Sequence, residues 1–107
     1  MSAQPVEIAP PPERPTERPK LVFFSSPTSG RSRRVEAWLA QVLQRRGNHT
    51  TFDIQRLDIE RATEIAERLE VTVSPSLVVV EDGRVVARLD RPTGCREIAD
   101  VLSPWLR

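Results

Sequence analysis

The chain has 107 residues, is 38% hydrophobic, carries 16 basic against 15 acidic side chains and holds one cysteine. That length suits one domain with one modest core, and a net charge of +1 gives no global basic field for gripping a nucleic-acid backbone. Cys95 alone excludes an intramolecular disulfide framework and any multi-cysteine metal site.

Fifteen of the basic residues are arginine, with Lys20 the single lysine, a compositional habit and not a nucleic-acid signal. No stretch reaches the roughly 18 apolar residues of a membrane helix. The first residues lack the charged start and apolar run of a secretory signal. Neither membrane association nor a specific nucleic acid is expected, and the cytoplasm is the expected compartment.

From Met1 to Pro19 six prolines alternate with Glu and Arg. Proline removes backbone donors and favours extended conformations, so residues 1–19 read as a disordered, partly polyproline tail and residues 20–107 as the folded domain. Pro12-Glu-Arg-Pro15 and Pro15-Thr-Glu-Arg-Pro19 also fit a ligand for a proline-reading module.

Leu21 to Phe24 is a continuous apolar run, the pattern of a central strand buried on both faces. Ser25 to Gly30 is a cluster of turn and capping residues, with Thr28 or Ser29 placed to accept an orphan amide at a helix start. Val35, Trp38, Leu39, Val42 and Leu43 then make a helical stripe, which Gly47-Asn48 stops. Thr50 to Asp58 reads as a second strand through Phe52, Ile54 and Leu57. A helix from about Arg61 turns Ala62, Ile65, Ala66 and Leu69 inward.

Leu77 to Val80 is the next strand, with Pro75 at its entrance, and Asp82-Gly83 makes a hairpin to a strand over Val85 to Leu89. A last helix from about Gly94 buries Ile98, Val101, Leu102 and Trp105, and Pro104 ends or distorts its final turn. The order is β-α-β-α-β-β-α. Helical crossovers, each right-handed, are expected to make the first strands parallel, and the tight turn makes the last pair antiparallel.

From about Val22 to Leu106 this pattern resembles the thioredoxin family. The likeness is carried by Ser29-Gly30-Arg31-Ser32 at a strand-to-helix turn, Ser74-Pro75 before a strand, and the strings Leu57-Asp-Ile-Glu60, Ile65 to Val71 and Pro75 to Gly83. It implies an α/β fold, a thioredoxin-like three-layer α/β/α sandwich on a mixed four-stranded sheet. The amino-terminal strand and helix that many thioredoxins add are absent.

The resemblance also implies a site, and the chain departs from it. Ser29 and Ser32 stand where the family has the two cysteines of Cys-Gly-Pro-Cys. Disulfide exchange needs a thiolate and a resolving thiol, whereas a hydroxyl needs an activating base. Arg31 replaces the motif proline and Thr28 the preceding tryptophan. Phe23 stands at the family's buried aspartate. His49, the single histidine, falls beyond the other end of the helix. The expectation is a redox-inactive protein with no catalytic residue, no cofactor and no metal.

What the resemblance leaves is a binding face of Thr28, Ser29, Arg31, Arg33, Ser74, Pro75 and Arg91. Ser74-Pro75 matches the family's cis-proline dipeptide, or is simply the start of a strand. Arg91 falls where thioredoxins have a small groove-lining residue, so its guanidinium either occludes the groove or draws anionic partners. Arg31 and Arg33 bear the cost of cations in a first helical turn, and either bind a carboxylate or phosphate or form a solvated face.

Cys95, between Arg91 and Arg96, is either a reactive thiol, in a setting that favours the thiolate, or an incidental one. Two functions follow. One is a non-catalytic interaction module for a protein partner with an acidic or extended segment. The other is a binder or transferase-like enzyme for a small-molecule thiol such as glutathione, with Ser29 stabilising the thiolate. The helical domain that completes glutathione transferases does not fit within 107 residues.

Overall fold

The apolar run Leu21 to Phe24 forms the middle of strand β1 (Lys20–Ser25). The computed structural model describes residues 18–106, so the expectation of a disordered tail lies, through residue 17, outside the described residues. After β1 come α1 (Gly30–Gln44), a 3₁₀ segment (Arg45–Thr50), β2 (Asp53–Asp58), α2 (Thr63–Arg68), β3 (Ser76–Glu81), β4 (Arg84–Asp90) and α3 (Cys95–Leu102). The four strands make one mixed sheet in the order β2-β1-β3-β4.

The parallel pairing expected of helix-linked strands holds for β1 and β2, where Lys20 faces Asp53 and Ser25 faces Asp58. It does not extend to β3, which runs antiparallel to β1 with Phe24 opposite Ser76. The connection explains this. It leaves β2 and enters β3 at the same end of the sheet, so it crosses that end without returning along the strands. A helix of only six residues suffices.

The expected single core is divided by the sheet into two. Leu21 and Phe23 point to the α1 and α3 side and join Val35, Leu39, Val42, Leu43, Phe52, Leu77, Val79, Ile98 and Leu102. Val22 and Phe24 point the other way, to Ala66, Val71 and Val78 under α2. Period-two alternation is thus present within a run that looks uniformly apolar, because each residue buries its side chain on its own face. Each such side chain contributes about 1.5–3 kcal/mol of burial. Trp38 and Trp105 pack at the border of the larger cluster, and the Trp105 indole donates to Glu81 Oε2 across 2.8 Å.

Several boundaries differ from the pattern-based reading. α1 ends at Gln44, ahead of Gly47, and a 3₁₀ segment follows. Thr50 and Thr51 precede the strand instead of opening it. Thr51 donates through Oγ1 to Asn48 Oδ1 (2.8 Å) and through its amide to the Asn48 carbonyl (3.2 Å), so local turn bonds outweigh β propensity. Ile65 is 38% exposed and does not face inward. Of the residues expected under the last helix, Ile98 and Leu102 are buried, while Val101 and Trp105 are half-buried.

α2 ends in a paired-bond cap: the Val71 amide donates to Ala66 O (2.8 Å) and the Glu70 amide to Glu67 O (3.0 Å), with Glu70 at φ 59°. The β3–β4 hairpin turns on Asp82 and Gly83 at φ 53° and 76°, as a two-residue turn matching strand twist requires.

Candidate functional site

Strand order and direction gather the residues of interest at one end of the sheet. β1 ends there at Ser25, β3 begins there at Ser76 and β4 ends there at Asp90, on neighbouring strands. The turn from Ser26 to Ser29, the start of α1, the Ser74–Pro75 segment and Arg91 are therefore within a few strand spacings of about 4.8 Å each.

Ser29 is the N-cap of α1, with φ −99° and ψ 121°, and its Oγ accepts the Ser32 amide at 3.2 Å. The Ser32 Oγ accepts the Ser26 amide at 3.1 Å, and Ser32 is buried. Ser26 and Thr28 share a hydroxyl–hydroxyl hydrogen bond of 3.3 Å. Ser29 thus caps a backbone donor that the helix start leaves unpaired, and Ser32 satisfies the Ser26 amide in the turn before the helix. Among the described residues no carboxylate or imidazole is hydrogen-bonded to either hydroxyl. His49 sits in the 3₁₀ segment at the far end of α1. Neither hydroxyl has the base that nucleophilic chemistry requires.

The Ser74–Pro75 peptide is cis. Pro75 is fully buried and its carbonyl accepts the Arg91 amide at 2.8 Å. Ser74 is half-buried, and among the described residues nothing hydrogen-bonds to its amide or carbonyl. Arg91 is exposed, sits at φ 49° and is followed by a fully buried Pro92. A left-handed arginine is uncommon, and nothing in the residue pattern announced it.

Thr28, Gly30, Arg31 and Arg33 are exposed and Ser29 is half-buried. Of the residues singled out, those together with Ser74 and Arg91 reach the surface of this end, while the side chains of Ser32 and Pro75 belong to the interior. Arg56, Arg61 and Arg88 make ion pairs. Among the described residues no ion pair reaches Arg31, Arg33 or Arg91. Three exposed arginines outside any ion pair among the described residues thus share this end of the sheet with the unpaired backbone of Ser74, with Asp90 beside Arg91. The role of Ser26 in holding Ser32 was missed, although the run Ser25-Ser26-Pro27-Thr28-Ser29 signals dense side-chain capping.

Phe23 is 1% exposed, within the larger core cluster. Cys95 opens α3 half-buried against α1, with Sγ 3.0 Å from Gln41 Oε1 and 3.8 Å from the Trp38 carbonyl. That packing places it on the border of the core. Among the described residues no group of three or more His, Cys, Asp or Glu side chains is placed to hold a metal, and no helix is long and apolar enough to cross a membrane.

Solved thioredoxins superpose on this chain. The reduced desulfothioredoxin of Desulfovibrio vulgaris Hildenborough matches with a TM-score of 0.69 at 22% identity, over 82% of each chain. Fasciola hepatica thioredoxin gives 0.68 at 18% identity over 82% of this chain and 81% of its own. A mutant thioredoxin of Halobacterium salinarum gives 0.68 at 17% identity over 83% of this chain and 75% of its own. No family model and no curated protein matches the sequence. The chain has a thioredoxin-like fold with a single cysteine, which opens α3 and not α1.

Proposed function

We propose that this thioredoxin-like chain is a redox-inactive interaction module that holds an extended, acidic segment of a partner protein along Ser74 and the Ser29–Arg33 face. The observation that carries this reading is the half-buried Ser74, whose amide and carbonyl have no partner among the described residues. Backbone donors and acceptors are obligatory hydrogen-bonding groups. An extended segment laid beside Ser74 supplies both bonds as an added strand does. Arg31, Arg33 and Arg91 then select acidic side chains, and unpaired surface cations raise the association rate of such a partner.

The capping duty of Ser29 and Ser32 supports the absence of turnover, since each hydroxyl oxygen already accepts a backbone hydrogen. The test is an amide NMR titration of the protein with three probes: an acidic ten-residue peptide, its basic counterpart and reduced glutathione. Saturable shifts at Ser29, Gly30, Arg31, Ser74 and Arg91 with the acidic peptide alone are expected. Equivalent shifts with glutathione alone would move the assignment to a small-molecule thiol binder, with Ser29 facing the thiolate. Silence with every probe would overturn the reading.

A further inference from the structure

The segment that presents Ser74 is fastened to β4 by a ring of polar contacts. Arg88 Nη2 donates to the Glu70 carbonyl at 2.7 Å and lies 3.6 Å from Asp90 Oδ1. The Ser76 hydroxyl shares its proton between Asp90 Oδ1 at 3.1 Å and the Val73 carbonyl at 2.8 Å. Ser76 is wholly buried and faces Asp90 in the strand register. Two points of the loop ahead of Ser74 are thereby tied to β4, Glu70 directly through Arg88 and Val73 by way of Ser76.

These contacts act beside one other tie to β4, the Arg91 amide bonded to the carbonyl of the buried Pro75. Between the cap of α2 and the start of β3, Val71 is the only residue of 70–74 in the core. The Arg88–Asp90 pair is 35% and 46% exposed, and such a pair alone stabilises little. Its place in a ring is different: it lets one guanidinium satisfy a carbonyl at the left-handed Glu70 and orient the carboxylate that receives Ser76. Groups acting in one network are worth more than their separate pairs.

We infer that Arg88 and Asp90 are positioning residues for Ser74: the ring Glu70–Arg88–Asp90–Ser76–Val73 sets the backbone that receives the partner segment. This rests on the reading of Ser74 given under Proposed function. Electrostatics alone makes the opposite claim for one variant. Asp90→Ala removes a negative charge near Arg91, so an acidic peptide would bind more tightly if charge decided affinity. If positioning decides, the same variant binds it more weakly.

The test compares wild type with Asp90→Ala and Arg88→Lys by amide hydrogen exchange on the free protein and by titration with the acidic peptide. Exchange at the hydrogen-bonded amides of Val71 and Arg91, which close the loop at its two ends, each taken relative to its intrinsic rate, is expected to quicken about tenfold in Asp90→Ala, with Val22 and Val78 unchanged, because local opening is distinct from global unfolding. Arg88→Lys, whose ammonium reaches one acceptor but lacks the planar fork, is expected to fall between. Acidic-peptide affinity drops about threefold or more in Asp90→Ala, as lost preorganisation requires.

Unchanged loop exchange, or equal acceleration at Val22 and Val78, would overturn the inference. So would tighter peptide binding in Asp90→Ala. A wild-type chain indifferent to the acidic peptide would overturn the binding reading, and the exchange measurement would still decide whether the ring holds the loop.

Discussion

The Ser29 hydroxyl accepts the amide of Ser32 at 3.2 Å, so the first serine of Ser29-Gly30-Arg31-Ser32 serves as a helix cap. Replacing an N-cap serine by alanine costs about 1 kcal/mol. Ser29→Ala is expected to lower stability by that amount, read as a smaller urea midpoint at unchanged slope. Ser29→Asp should preserve it, since a carboxylate also caps and suits the positive end of the helix.

A thiol introduced at position 29 tests whether this helix start can activate one. A thiol introduced by Ser29→Cys sits at a helix amino terminus close in sequence to Arg31 and Arg33, and both effects stabilise its anion. Its titration, followed by thiolate absorbance, is expected to lie below the ~8.5 of an unperturbed cysteine. The thiolate fraction at neutral pH is correspondingly raised. A titration at or above that value would show that neither effect reaches position 29.

The elements that burial and turn chemistry dictate were legible in the sequence. Leu21 to Phe24 and Leu77 to Val80 read as strands because both faces of the sheet are covered, and Asp82-Gly83 read as a hairpin because both residues accept positive φ. The Thr50-Thr51 start of β2 was misread because an Asn48 side chain, not local propensity, decides it. The direction of β3 was hidden, since no local signal states at which end of the sheet a connection emerges. In the candidate site, Ser29, Arg31 and Ser74 were singled out by their place in the sequence pattern. The ring through Glu70, Arg88 and Asp90 was not, because its bonds join residues up to 18 apart across the sheet.

Two glycines separate conformational need from motif inheritance. Gly83 stands at φ 76°, so Gly83→Ala forces a side chain into left-handed backbone and is expected to cost about 1 kcal/mol. Gly30 is the first residue of α1, and a Cβ there meets nothing within 4 Å. Gly30→Ala is expected to stabilise by about 0.5 kcal/mol, since alanine has the smaller unfolded-state entropy and the better helix propensity. Thermal midpoints of the two variants should therefore move in opposite directions from wild type.

Phe23→Asp tests whether the core beneath the candidate site tolerates a buried carboxyl where this chain has an aromatic ring. Phe23 is 1% exposed and clusters with Leu21, Val35, Leu39, Leu77, Val79 and Ile98. Removing the ring alone costs about 3–5 kcal/mol, and a desolvated polar group adds to that. Unfolding of most of the population at neutral pH is expected. The pH dependence identifies the cause. Burial disfavours the ionised form, so the introduced carboxyl has a folded pKa above its unfolded value of ~3.9, and the unfolded chain binds fewer protons between the two. Relative to wild type, the variant should therefore be most stable below that value and lose stability as pH rises toward neutrality. Phe23→Asn, which leaves a similar cavity without a titrating group, should be destabilised to a similar degree at low pH and show no such slope. The folded fractions of the three proteins at pH 4 and pH 7, followed by circular dichroism, check this, and parallel behaviour of the two variants would mean that the cavity, not the charge, excludes an acid at position 23.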